Sequence, residues 1–267
     1  MRRQFFLASV SAIATTGFAL AAEPLPPPAA PPPPPAFTWT GLYAGLQVGG
    51  AWSQDRYYSQ FSGAPGGVPF FLTNSVTQNL SGVIGGVHLG YNLQWNQWLV
   101  GLEGSVDGTS QQGTILDGVT GIGDQERAEI QGSIRLRAGF TWDRFLIYAT
   151  GGAAFTGIHN DYTDTTGLTT RVPGVSEDIS RTRSGWTVGG GIAYALTNNW
   201  SIRAEYRYSD FGHYDDYPFV NLVTLAPPLL FGGNSLLVQH HLTQNQVEAG
   251  ITYKFDSQAP APVVAKY

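Results

Sequence analysis

Ten ionisable residues recur at alternate positions inside otherwise apolar stretches. They are Glu103 and Asp107; Glu129, Arg135 and Arg137; Arg203, Glu205 and Arg207; Glu248 and Lys254. Successive side chains of an extended chain point to opposite faces, so a spacing of two gathers these charges on one face. Five acids then meet five bases, and the chemistry on offer is mutual neutralisation. Charges sharing a poorly solvated space must pair, because one left uncompensated is expensive. The expected outcome is a salt-bridged plug that fills a narrow interior; the alternative is an ion pathway lined by both signs.

The remaining chemistry-bearing groups are weaker. His213 with Asp215 and Asp216, and His240 with His241, cluster near one long connection, but no nucleophile is spaced so as to link it to a base. The reading is therefore non-enzymatic, with no catalytic, cofactor-binding or metal-binding residues assigned. Asp161, Asp164, Glu177, Asp178, Asp210, Asp215 and Asp216 are suitable hard ligands for the divalent cations that bridge lipopolysaccharide phosphates, yet they lack a fixed ligand spacing and read as solvated loop charge. His88 is expected to face inward and hydrogen-bond there.

Eight alternating segments must position these residues: Gly41 to Ser53, Leu80 to Gln94, Trp98 to Asp107, Ala128 to Thr141, Phe145 to Phe155, Gly185 to Ala195, Trp200 to Ser209 and Gln246 to Phe255. Each is close to the ~9–11 residues of a tilted membrane strand. The fourth alternates most cleanly, with Ile130, Ile134, Leu136, Ala138 and Phe140 against Gln131, Ser133, Arg135 and Arg137. Apolar side chains on the outer face of a closed sheet are what lipid requires. The predicted fold is all-β: an eight-stranded antiparallel transmembrane barrel with four long extracellular loops and short periplasmic turns. A soluble lipocalin-like barrel would invert the two faces and need no aromatic girdles. A wide diffusion pore is not expected, since eight strands leave an interior only large enough for side chains.

Tryptophans mark the ends of these segments. Trp39, Trp52, Trp95, Trp98, Trp142, Trp186 and Trp200, with Phe255, are expected to form aromatic girdles at the two membrane–water interfaces. Three connections are tight (94–97, 142–144, 196–199) and four are long, which places the tight ones and both termini in the periplasm. Two long connections carry apolar runs, Gly67 to Leu72 and Phe219 to Phe231. These are either contact surfaces or continuations of the strands as hairpins.

Composition agrees with a lipid-facing chain. Charged residues are 12% of the sequence, against roughly 25% in a typical soluble domain. A net charge of −5 argues against nucleic acid as a partner. The absence of cysteine excludes disulfides, thiolate metal sites and a cysteine-linked lipid anchor. Residues 1–22 read as a cleaved signal peptide, with Arg2 and Arg3 before an apolar core and Ala19-Leu20-Ala21 at the cleavage site. Residues 23–36 read as a proline-rich periplasmic linker, reaching roughly 40 Å as polyproline II. The barrel is assigned to 37–255, and 256–267 to a periplasmic tail that Pro260 and Pro262 keep out of any sheet.

Several segments resemble small alphaproteobacterial outer-membrane proteins, the OmpA-like and opacity-protein-like porin family that includes major surface antigens. They are Phe37-Thr38-Trp39-Thr40-Gly41-Leu42-Tyr43-Ala44-Gly45, Gly132-Ser133-Ile134-Arg135-Leu136-Arg137-Ala138-Gly139, Tyr148-Ala149-Thr150-Gly151-Gly152 and Ala204-Glu205-Tyr206-Arg207-Tyr208. The closing Val247 to Phe255 is similar to the family's last strand, so Tyr253 and Phe255 are the implied signal to the barrel assembly machinery. In the family the chain usually stops at that Phe; here Asp256 to Tyr267 follows. The resemblance implies location in the cell outer membrane and a structural, surface-exposed role in envelope integrity, with a narrow porin-like channel or loop-mediated adhesion as alternatives. Implied partners are outer-membrane lipid and lipopolysaccharide, the assembly machinery, and cell-wall or host contacts.

Overall fold

The computed structural model describes residues 37–65, 68–167, 169–170, 172–220 and 231–255. The expected signal peptide 1–22, linker 23–36 and tail 256–267 lie outside the described residues, as do Gly67 and most of the apolar run 219–231. Eight strands follow one another round a closed antiparallel barrel: β1 (Gly41–Pro65), β2 (Phe70–Trp95), β3 (Trp98–Leu116), β4 (Ile122–Trp142), β5 (Phe145–Asp164), β6 (Val175–Ala195), β7 (Trp200–Asp216) and β8 (Phe231–Lys254). β1 closes on β8 from Tyr43–Lys254 upward, so every strand has two neighbours in the membrane band and no sheet edge meets lipid there.

The alternation seen in the sequence sets the two faces. Leu46, Val48, Val87, Leu102, Ile134 and Ile147 project outward, while Tyr43, Gln47, His88, Glu103 and Arg135 are buried inside. Small residues make room for the bulky interior. A Cβ on Gly45 would lie 2.6 Å from the His88 ring and 2.2 Å from the Ile251 carbonyl oxygen, so only glycine fits beside that histidine.

The strands outrun the membrane. β1 has 25 residues, which at ~3.3 Å per residue and a tilt near 40° spans about 60 Å along the axis, well over twice the ~25 Å apolar band. The long loops expected from the sequence are largely strand: the connections at that end shrink to residues 66–69, 117–121, 165–174 and 217–230. The run Phe70 to Leu72 belongs to β2 and pairs with Phe61 to Gly63 of β1. At the opposite, turn end Asn96 (φ 54°) and Asp143 (φ 51°) occupy left-handed positions in the tight turns, which these short polar side chains tolerate well.

Two irregularities matter for the interior. Register shifts interrupt β4 between Ala128 and Gln131, and β7 between Asp210 and His213, where Gly212 has φ +71°. Each bulge inverts the inward–outward parity of the strand beyond it. Apolar clusters close both ends of the interior: Trp39, Leu99, Leu146, Tyr148, Ala193 and Ala195 at the turn end, and Tyr57, Phe61, Ile122, Tyr162, Phe219, Leu236 and Val238 at the loop end.

Candidate functional site

Between these clusters the interior holds two charged layers. In the layer nearer the turns, Glu103 of β3 lies directly opposite Arg135 of β4 in the ladder. Arg135 bridges the barrel: one guanidinium nitrogen is 2.6 Å from Glu103 Oε1, and the other meets Glu205 of β7. Glu103 also takes Arg203 at 2.7 Å, Arg137 at 3.5 Å and the Tyr43 hydroxyl at 2.9 Å. The Arg137 guanidinium stacks 3.6 Å above the Tyr148 ring, and the Tyr148 hydroxyl donates to Glu205 at 3.0 Å.

Glu205 and Glu248 face each other across the β7–β8 ladder, a repulsive pairing taken alone. Arg207 resolves it, contacting Glu205 at 3.3 Å and Glu248 at 3.0 Å. Asp107 accepts from Gln47 at 2.5 Å and lies 4.0 Å from Arg207. His88 is buried and bonds Thr252 Oγ1 at 2.9 Å. The layer therefore holds four arginines against four carboxylates, with Arg135 and Glu103 sealed from solvent.

Three residues expected in the sites stand elsewhere. Glu129 points outward, with its side chain 65% exposed and His159 at 3.8 Å, because the bulge after Ala128 reverses parity. Lys254 keeps inward parity but lies at the barrel mouth below the network, where its ammonium bonds the Thr38 carbonyl and lies 5.1 Å from the centre of the Phe37 ring. Trp39 is absent from the girdle: its segment folds into the mouth, held by the Gln94 side chain at 2.8 Å, and its indole is buried in the turn-end cluster. Trp52, Trp95, Trp98, Trp142, Trp186, Trp200 and Phe255 are exposed on the outer wall. Several belong to ring pairs, among them Trp98–Phe140 and Trp186–Tyr208 at 5.5 Å and Trp200–Tyr253 at 5.0 Å.

The second layer, beyond the level of Trp52, Phe155 and Trp186, was not legible as a site. It is acidic. Asp55 of β1 bonds His240 Nδ1 and the His241 amide; Asp216 of β7 accepts from the Tyr162 hydroxyl at 3.1 Å and pairs with Arg181 at 3.1 Å. Asp124 of β4 accepts from Asn160 at 3.2 Å, whereas both buried oxygens of Glu126 have no hydrogen-bond partner. His240 stacks on Tyr214 at 4.5 Å and contacts Tyr162 at 2.8 Å. Burial pushes the Asp124 carboxyl up to about 7, opposed by His240 and Asn160 and reinforced by Asp55 and Asp216. Burial, then Asp55, Asp124 and Asp216, holds Glu126 well above the usual carboxylate range. At the rim Asp117 goes the other way: burial is outweighed by hydrogen bonds from Ser59, Thr120, Val119 and Asn74.

Some of the acids expected to be solvated loop charge are structural instead. Asp164 is buried and accepts the Gly167, Thr169 and Thr170 amides at 2.7–2.9 Å, organising its own connection. His213 stacks on His241 at 4.1 Å, and Asp215 accepts from Gln239 at 3.1 Å. Among the described residues, no group of three His, Asp or Glu side chains is placed to hold a metal ion.

Sequence comparison supplies the family. The model for the outer membrane protein beta-barrel domain matches residues 9–255. The chain belongs to that family. It is 30% identical over 260 residues to a 31 kDa outer-membrane immunogenic protein of Brucella melitensis biotype 1, covering 95% of this chain and all of the relative. It is 32% identical over 151 residues to a 22 kDa outer membrane protein of Rhizobium leguminosarum bv. viciae, covering 53% of this chain and 63% of that one. Among solved structures, OprG of Pseudomonas aeruginosa aligns with a TM-score of 0.49 at 16% identity, over 82% of this chain and 97% of that one. The protein is an outer-membrane surface β-barrel related to bacterial immunogens, and the apolar wall of β1–β8 is the part that faces lipid.

Parity inversions hide Asp124, Glu126 and Asp216 from the alternation of their strands. Asp124 and Glu126 sit at even positions, whereas the inward residues of the same strand below the bulge are odd. The Ser-Asp-Phe-Gly-His stretch of β7 carried the signal for its bulge in Gly212, whose left-handed conformation is cheap only for glycine.

Proposed function

We propose that this protein is a structural, surface-exposed barrel that contributes to outer-membrane integrity and does not serve as an open pore. The observation that carries this reading is the buried Glu103–Arg135–Glu205 bridge, which spans the lumen from β3 and β4 to β7. With Arg137, Arg203 and Arg207 added, charge is neutralised across the whole section, and an ion crossing it must break several desolvated pairs. The Trp39 cluster forms a second seal at the turn end.

The turn end is assigned to the periplasm and the loop end to the exterior, in the usual manner of such barrels. Lipopolysaccharide is the proposed neighbour of the outer girdle, and the assembly machinery the proposed reader of the Tyr253–Phe255 strand. Cell-wall or host contacts would fall on the two ends. In planar bilayers the refolded protein is expected to give no steady conductance, and a deletion strain to become sensitive to detergent until complemented. A large steady conductance of the wild-type barrel would overturn the non-conducting part. Unchanged detergent resistance of the deletion strain would overturn the envelope role.

A further inference from the structure

Beyond the outer aromatic residues the wall is no longer one sheet. Backbone pairing between β2 and β3 ends at Ser81–Gln112, and between β6 and β7 at Trp186–Asp210. The neighbouring ladders continue, to Leu116–Gly123, Ile122–Asp164, Asp164–Val175, Asp216–Val238, Pro65–Phe231 and Gly63–Phe70. The loop end therefore consists of two four-stranded leaves, β3–β6 and β7–β8–β1–β2. Side chains join them: Asn74 and Ser59 to Asp117 at one seam, Arg181 and Arg183 to Asp216 at the other, and Tyr162 to Asp216 and His240 across the middle.

The acidic layer lies where these leaves meet. The first leaf presents Asp124, Glu126, Tyr162 and Arg183; the second presents Asp55, Tyr57, Tyr214, Asp216 and His240, with the neutral Gln78 from β2. Asp117 sits at the rim. Arg181 and Arg183 of the first leaf are engaged with Asp216 of the second, and His240 with Asp55, so none of these cations forms an ion pair with Asp124 or Glu126. The Glu126 oxygens have no hydrogen-bond partner and are sealed from solvent. A carboxyl group in such a place is held as the neutral acid, which needs no counterion and no room for one.

We propose that the loop-end half of the barrel is a proton-operated clasp, whose leaves close when Asp124 and Glu126 carry protons and part when these ionise against Asp55 and Asp216. Both groups are weaker acids in the closed form, their pKa raised by burial, so closure is fully favoured below the ordinary carboxylate range. It weakens as pH rises above that range, through about 7 for Asp124, with Glu126 shifted in the same direction. Tyr57, Tyr162 and Tyr214 are raised too and stay neutral throughout. Below the seams the ladders and the balanced ion-pair layer hold the ring shut, so the motion is confined to the part beyond the girdle.

The chain has no cysteine, so paired cysteines can carry spin labels specifically. Full-length protein in lipid vesicles bearing Thr77→Cys and Thr182→Cys reports the distance between leaves; Gln125→Cys with Thr182→Cys reports within one leaf. Between pH 5 and 8.5 the inter-leaf pair should gain a longer-distance population, its ratio to the closed form rising up to ~10-fold per pH unit for each proton released. The pair within one leaf should not move. Adding Asp124→Asn and Glu126→Leu should abolish the pH response in a barrel whose assembly is verified by heat-modifiable gel mobility. A pH-invariant inter-leaf distance, an equal response in the neutralised barrel, or an equal shift within one leaf would each overturn the proposal. Should the double variant fail to assemble, Glu126→Gln alone serves, and it must at least shift the transition to lower pH or flatten it.

Discussion

Replacing Glu103 by Gln tests the ion-pair layer most sharply. The substitution keeps the shape of the side chain and an oxygen that can accept from Tyr43, but removes the charge. Of its carboxylates Arg203 would retain only Glu205 at 4.0 Å, beside the neutral Gln47 oxygen, and Arg137, whose carboxylate contact is Glu103 at 3.5 Å, would be left with tyrosine rings and a hydroxyl. Breaking a buried pair by removing one partner typically costs ~3–5 kcal/mol. These side chains are essentially sealed from solvent, so no discount for screening applies, while the Gln oxygen returns about 1 kcal/mol as a hydrogen bond. The expected loss is roughly 3 kcal/mol, about two powers of ten in the folding equilibrium. Glu205→Gln should cost less, about 1.5–2 kcal/mol, because Arg135 keeps Glu103 and Arg207 keeps Glu248. The assay is reversible guanidinium unfolding in phospholipid vesicles followed by tryptophan fluorescence. A loss below about 1 kcal/mol for Glu103→Gln, or no difference between the two variants, would refute the idea that Glu103 is the hub of the network.

Three further outcomes are expected. Glu129→Ala should shift stability by no more than ~0.5 kcal/mol, as for an exposed position, while Glu126→Leu should be neutral at pH 5 and stabilising at pH 8.5; equilibrium unfolding at both values checks the pair. Cysteines at Gln97 and Asn198 should resist a membrane-impermeant label in intact cells, while those at Val119 and Val172 react; the reverse pattern would invert the assigned orientation. Deleting 256–267 should leave heat-modifiable assembly intact while Phe255→Ala in the full chain impairs it; failure of the deletion with normal assembly of the substitution would move the signal out of the Tyr253–Phe255 strand.

Legibility followed periodicity and ended where periodicity broke. From Gly41 to Ser53 the odd positions face inward, and the same parity carries on unbroken through Asp55, Tyr57 and Phe61, so β1 could have been extended on alternation alone. The segment expected from the sequence ends at Ser53 because polar and aromatic residues facing water beyond the lipid band no longer contrast with a polar interior. β4 shows the harder limit. Its inward residues Arg137, Arg135, Ser133 and Gln131 predict Glu129 next, and the chain instead inserts a bulge and turns Glu126 and Asp124 inward. Nothing between Ala128 and Gln131 is a glycine or proline that would announce it. Trp39 fails for a different reason. An amphipathic ring near a strand end suits both a lipid interface and the mouth of a narrow barrel, and the choice was made by Gln94 and the cluster around Leu99 and Leu146 on strands remote in sequence. The residues that sequence misplaced are those whose position depends on register between strands. The same register, by ending two ladders at Ser81 and Trp186, places four carboxylates at the junction of two separable leaves.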